Sequence, residues 1–265
     1  MSSLNHLFGR VMKKLALYAV FGAFITQGHQ TSANYQNIRE YGKEYYILES
    51  GDSVKIFETD THINKIISGR VKIFVIPKDK MKFEVSTSRP NEHDFYLNSN
   101  FFSNEGPLGL VVVDGERVSR RVKKGGYFYV KNGKPFVKAH NSPRMTEFNS
   151  QTILVGIDNG QINDKLIEQS HAKDKNYRSL VGEDTDGNII IIVSSFLGLT
   201  TINDIVKIGK DFNVHNGVLF DGGSSVDFKL NSHKSRHYFK SVPAFLKEHL
   251  EISEPTTYIC GNFIQ

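Results

Sequence analysis

Four Asn-Gly or Asp-Gly pairs constrain this chain more than any other feature: Asp114-Gly115, Asn132-Gly133, Asn159-Gly160 and Asp186-Gly187. Such pairs enter left-handed backbone at little cost, which is what tight hairpin turns require of their central residues. They lie among runs rich in Val, Ile, Phe and Tyr, at 45–48, 54–57, 71–76, 110–113, 127–130, 153–157 and 189–193. β-branched and aromatic residues at these lengths predict strands. Ile189-Ile-Ile-Ile-Val193 does not alternate with polar residues, so it predicts a central strand covered on both faces. Helical signals are fewer. Thr201-Ile-Asn-Asp204 resembles a capping box with Asp for Glu, 243–250 is a short helix opened by Pro243, and 61–68 and 163–169 read as helical turns. The expected class is α+β, with mixed or antiparallel sheets and a few covering helices in a single domain over 34–265; predominantly β is the alternative.

Residues 1–33 read as an address. Arg10, Lys13 and Lys14 precede an apolar run from Leu15 to Ile25, and small residues end at Ala33. A basic start, an apolar centre and a small-residue exit describe a secretory signal peptide. The run is shorter than the roughly 20 residues that a bilayer span needs, so no stable membrane span is expected after cleavage. Cleavage would remove three basic and no acidic residues, lowering the net charge from +5 to +2. The excess of basic residues is then partly the export signal, and a nucleic-acid partner is not expected. The expectation is an exported protein, periplasmic or secreted. With one cysteine, Cys260, no internal disulfide or cysteine-based zinc cluster can form.

Asp221-Gly222-Gly223-Ser224-Ser225 follows the apolar run Val218–Phe220. An acid at a strand end, then adjacent glycines and hydroxyls, lets a ligand approach backbone amides closely. Leu97-Asn98-Ser99-Asn100-Phe101-Phe102, Gln151-Thr-Ile-Leu-Val155, Arg178-Ser-Leu-Val-Gly182 and Gly198-Leu-Thr200 come earlier, in that order. Together these five elements resemble the phosphodiester glycosidase family, whose pattern runs from an Asn-Gly-Gly-Phe-Phe-like element to Leu-Asp-Gly-Gly-x-Ser. Here Ser99-Asn100 replaces the first glycine pair and Phe220 the Leu. A single cysteine is similar to the bacterial members rather than the cysteine-richer animal ones.

The resemblance implies an exported hydrolase that releases sugar from a sugar-1-phosphodiester or phosphate-linked glycan. It implies Asp221 as the carboxylate that activates water or stabilises positive charge at the sugar, Arg178 as the cation on the phosphate, and Asn98 as a group that holds sugar hydroxyls or orients a catalytic group. Gly222, Gly223, Ser225 and Asn100 would complete the substrate and phosphate site. The second carboxylate is open among Glu105, Glu183 and Asp227. No cofactor is implied and no metal motif is visible, though a divalent ion is not excluded. Two further readings stand beside the enzyme: a non-catalytic envelope protein that binds a phosphorylated glycan, and a binder of anionic polymer through the basic stretch Arg120–Lys124. His233 and His237 read as part of a solvated basic loop, and Cys260 as a buried structural thiol.

Overall fold

Asp114, Asn132 and Asn159 have φ of 51°, 52° and 47°, and the glycine after each is also left-handed. Each pair is therefore a two-residue hairpin turn. The fourth pair differs. Only Gly187 is left-handed, at φ 84°, in a three-residue connection between the strands Ser179–Asp184 and Asn188–Ser194. The computed structural model describes residues 37–40, 43–62, 68–103, 106–119, 125–139, 148–151, 154–242 and 255–264. The proposed signal segment, the expected helix at 243–250, Glu105 and the basic stretch Arg120–Lys124 lie outside the described residues.

The hairpins build three principal sheets. A nine-stranded sheet runs, in spatial order, through Asn37–Glu40, Lys43–Ser50, Lys55–His62, Ser68–Pro77, Asn188–Ser194, Ser179–Asp184, Val214–Phe220, Leu154–Asp158 and Gln161–Ile162. A five-stranded sheet runs through Arg236–Lys240, Asp227–Asn231, Phe95–Asn98, Tyr258–Phe263 and Met81–Ser86. A second five-stranded sheet contains Glu116–Arg117, Val111–Val113, Phe148–Gln151, Tyr127–Lys131 and Lys134–Lys138. The neighbouring strands pair antiparallel throughout.

The expected antiparallel sheets with few helices are present, but the described residues are dominated by strand, which is nearer to the predominantly β alternative than to a clear α+β class. Their α-helices are Asp164–Ile167 and Ile202–Asp211, and the 61–68 stretch is strand at its described ends. The physical reason lies in the turns. Hairpins join sequence neighbours antiparallel, and such pairs need no crossover helix.

Ile189–Val193 sits between two cores, as its unbroken apolar run predicts. Ile189, Ile191 and Val193 face a core shared by all three sheets, which also holds Phe74, Phe83, Leu97, Phe128, Phe220 and Phe228. Ile190 and Ile192 face the other way, onto Ile202, Ile205, Val206 and Ile208 of the helix Ile202–Asp211. That helix starts where the sequence indicates. The Thr201 side chain accepts from the Asp204 N–H at 3.0 Å, and the Asp204 carboxylate accepts from the Thr201 N–H at 3.3 Å. No helix among the described residues is long and apolar enough to cross a membrane.

His237 departs from the solvated-loop expectation. Phe239 supplies the missing apolar signal, and Arg236–Lys240 becomes a strand paired with Asp227–Asn231. His237 packs on Phe74, and its Nε2 lies 2.9 Å from Ser235 Oγ. Ser235 and Ser232 each donate a 2.6 Å hydrogen bond to Glu49 Oε2, joining this turn to the large sheet. Burial, and next the Lys72 ammonium, push the His237 pKa down to about 4 from its ordinary value of 6.5. A depressed histidine pKa means the unfolded chain binds the proton more readily. The neutral ring therefore contributes stability above about pH 6.5, and that contribution is lost as the pH falls towards 4. Urea unfolding between pH 7 and pH 4 should show falling stability, with a shallower decline in His237→Gln.

Candidate functional site

Two strand ends meet at the site. Asn98 closes the strand Phe95–Asn98, and Asp221 follows the strand Val214–Phe220. The Asp221 N–H donates to the Ser99 carbonyl at 2.8 Å. The buried Asn98 side chain then fixes the loop that follows: its Nδ2 donates to the Asp221 carbonyl at 2.9 Å, and its Oδ1 accepts from the Asp227 N–H at 3.1 Å. One amide thus clamps both ends of the 221–227 segment. A buried amide with donor and acceptor both engaged is a rigid support, because losing either bond would strand a desolvated partner.

The glycine pair lets that loop lie on the neighbouring backbone. A Cβ at Gly222 would stand 2.5 Å from the Tyr177 carbonyl oxygen and 3.6 Å from Arg178 Cα. Only glycine permits this approach. Gly223, left-handed at φ 63°, donates its N–H to the same Tyr177 carbonyl at 2.9 Å. Its amide is therefore engaged by the fold. Ser225 is buried in the short 3-10 turn Gly223–Ser225. Asn100 is buried too: its N–H donates to Thr257 Oγ1 at 3.1 Å and its Nδ2 to the Leu108 carbonyl at 3.1 Å. Neither Ser99 nor Asn100 has a positive φ, so the replacement of the glycine pair carries no left-handed strain.

Arg178 joins the site through its backbone. Its N–H donates to Ser194 Oγ at 2.9 Å, while its Nη2 donates to the carbonyls of His171 and Asp174, each at 3.1 Å. Its Nε is sealed from solvent and has no hydrogen-bond partner among the described residues. Burial lowers the Arg178 pKa, and Asp174 only partly offsets this. A desolvated guanidinium with an unused donor is suited to an anion. The sequence-predicted residues Asn98, Asn100, Asp221, Gly222, Gly223 and Ser225 gather with the Arg178 backbone, while the Arg178 Nη2 reaches towards the 171–174 turn.

The acids named as second carboxylates separate here. Glu183 accepts from Lys78 Nζ at 2.5 Å and from the Val137 N–H at 3.3 Å, which ties it to the sheet contacts. Asp227 lies beside Asn98, fully buried, with Arg89 Nε 2.9 Å from its Oδ2 and Arg89 Nη2 donating to its Oδ1 at 3.1 Å. Arg89 also donates to the hydroxyls of Tyr96 at 2.6 Å and Tyr238 at 3.1 Å, and its guanidinium stacks over both rings. Although burial alone would lower the Arg89 pKa, Asp227 and the tyrosines raise it. Tyr96 is raised by burial and next by Asp227. This support behind the site was missed in the sequence. Phe228 and Leu230 point into the core, so alternation already puts Asp227 on the other face, but nothing local names Arg89 as its partner.

Comparison with known proteins adds an independent finding. The family model described as phosphodiester glycosidase matches residues 91–246, more than half of the chain. The fold is similar to the zebrafish N-acetylglucosamine-1-phosphodiester alpha-N-acetylglucosaminidase catalytic domain auto-inhibited by its pro-peptide. That match has 18% identity and a TM-score of 0.58, and covers 79% of this chain and 82% of that one. A hypothetical protein from Synechocystis is similar at 11% identity and a TM-score of 0.56, covering 81% of this chain and 62% of that one. No curated protein shows significant sequence similarity to the chain.

Proposed function

Because the chain belongs to the phosphodiester glycosidase family, we propose that it is a glycosidase that hydrolyses the bond between the anomeric carbon of a sugar and a phosphodiester. The observation that carries this reading is the seating of the Asp221-Gly222-Gly223 loop on the backbone of Tyr177 and Arg178; the Arg178 guanidinium, held through Nη2 by the 171–174 turn, keeps an Nε without a partner among the described residues. An acid and a close-approach backbone at one strand end, with one guanidinium donor of the adjoining Arg178 unused, suit a sugar whose leaving group is anionic.

In the proposed reaction the bond from the anomeric carbon to the phosphate oxygen breaks, and its electron pair leaves with the phosphate. That leaving group already carries charge, so it needs stabilisation more than a proton. Arg178, the Gly222 amide and the Ser225 hydroxyl supply it. Water adds to the anomeric carbon as the oxocarbenium-like state collapses, and its proton passes to the Asp221 carboxylate and on to solvent. The products are a reducing sugar and a phosphate monoester. Asn98 acts as a positioning residue, since it holds the carbonyl of Asp221. Asn100 is a buried residue held by Thr257 and Leu108, and Gly223 supplies the turn of the 221–227 segment.

We further propose that the protein is exported. Supporting this are the basic start, the apolar run and the small-residue exit of residues 1–33, with residues 34–265 as the working domain. Chain recovered outside the cytoplasm should begin near residue 34; full-length chain confined to the cytoplasm would contradict this. The activity is tested by incubating the chain with a panel of sugar-1-phosphodiesters and measuring released reducing sugar. Release from at least one member is expected. Binding of the panel without release would instead favour the glycan-binding envelope protein.

A further inference from the structure

Away from the site, three residues distant in sequence come together at one side of the five-stranded sheet. Cys260 and Glu84 face each other across the paired strands Tyr258–Phe263 and Met81–Ser86. His93 arrives from the turn before the strand Phe95–Asn98, and its Nε2 is in direct contact with Glu84 Oε1. One ligand atom from each of the three lies within 4.8 Å of the others. Cys260 Sγ is 3.8 Å from Glu84 Oε1. Two ligands on one tetrahedral zinc, with bonds of about 2.3 Å to sulfur and about 2.0 Å to oxygen, sit roughly 3.5 Å apart.

We propose that Glu84, His93 and Cys260 form a binding site for a divalent transition metal of the zinc type, with water in the fourth position. Thiolate, imidazole and carboxylate together match the ligand preference of zinc and not that of magnesium or calcium. His93 presents its Nε2 to this cluster, while its Nδ1, on another side of the ring, is sealed from solvent without a hydrogen-bond partner among the described residues. Glu84 is half exposed, which gives its carboxylate room to open around an ion and leaves a route for it to enter. The Cys260 thiol is buried, with its Sγ 3.8 Å from Glu84 Oε1, and binding would exchange its proton for the metal. The ion would link the C-terminal strand to Met81–Ser86 and to the turn before Asn98. It would brace the sheet that carries Asn98 and Asp227 without touching them.

The test is a cobalt(II) titration of the EDTA-treated full chain, followed by its thiolate-to-metal absorption in the near ultraviolet. Saturation at one equivalent is expected, with displacement by zinc and a higher Tm for the zinc-loaded protein. Cys260→Ser should lose the thiolate band. His93→Gln and Glu84→Gln, both at partly exposed positions that leave the core intact, should each weaken cobalt binding by at least about tenfold. The proposal is overturned if no band forms at one equivalent. A band that survives in Cys260→Ser would also overturn it, as would unchanged affinity in His93→Gln and Glu84→Gln.

Discussion

Asp221→Asn is expected to reduce hydrolysis of a sugar-1-phosphodiester by about a hundredfold to ten-thousandfold, the range for removing a group that handles the proton in the transition state. The amide is nearly isosteric with the carboxylate. The loop contacts that run through the Asp221 backbone, to Ser99, Asn98 and Ser179, do not depend on the side chain's charge. The fall should therefore appear in kcat with little change in Tm. Unchanged turnover in a folded Asp221→Asn sample would remove this residue from the mechanism and return the role of the carboxylate to another acid.

The second large effect concerns stability. Arg89→Ala should destabilise the chain by about 3 kcal/mol, because it leaves a buried carboxylate without its charge partner. Asp227 has no exposed surface, whereas the Arg89 side chain retains 33% exposure, which argues for the lower end of the usual 3–5 kcal/mol range. Activity should fall as well, since the Asp227 N–H is one of the two points by which Asn98 holds the site loop. Thermal or urea unfolding measures the first effect. A double variant, Arg89→Met with Asp227→Leu, separates the causes: if the missing charge partner is the cost, the double variant recovers most of the stability. Equal loss in single and double variants would mean that the packing of Arg89 on Tyr96 and Tyr238 carries the energy instead.

Local chemistry made much of the fold legible. The Asn-Gly and Asp-Gly pairs mark their hairpins because left-handed backbone is expensive for most other residues. Ile189–Val193 announces its double burial because a strand with a wet face would carry polar residues at alternate positions. Thr201 and Asp204 announce a helix start because three residues suffice to make that cap. The class was harder to read, since helical signals at 163–169 and 201–212 carry no statement of how little of the chain they occupy. At the site, the residues at the two strand ends could be read as one constellation because the order of motifs brings Asn98 and Asp221 into the same pattern. What those side chains touch could not. Asn98 bonding to the Asp227 N–H, Arg178 reaching the His171 and Asp174 carbonyls, and Arg89 closing on Asp227 depend on register between strands far apart in sequence. The grouping of Glu84, His93 and Cys260 was invisible for the same reason.

The strand Asn188–Ser194 has a further consequence for how the molecule comes apart. Its odd and even residues belong to different cores, so it is a shared wall between them. Neither layer can loosen along this strand without opening the other. The helix Ile202–Asp211 is thereby coupled, through a single strand, to the sheet that carries Asn98 on the far side. Heat or denaturant should therefore find one cooperative transition across these layers rather than a peripheral helix that frays first. The loop that carries Asp221 then inherits the stability of the whole assembly instead of that of its own short segment.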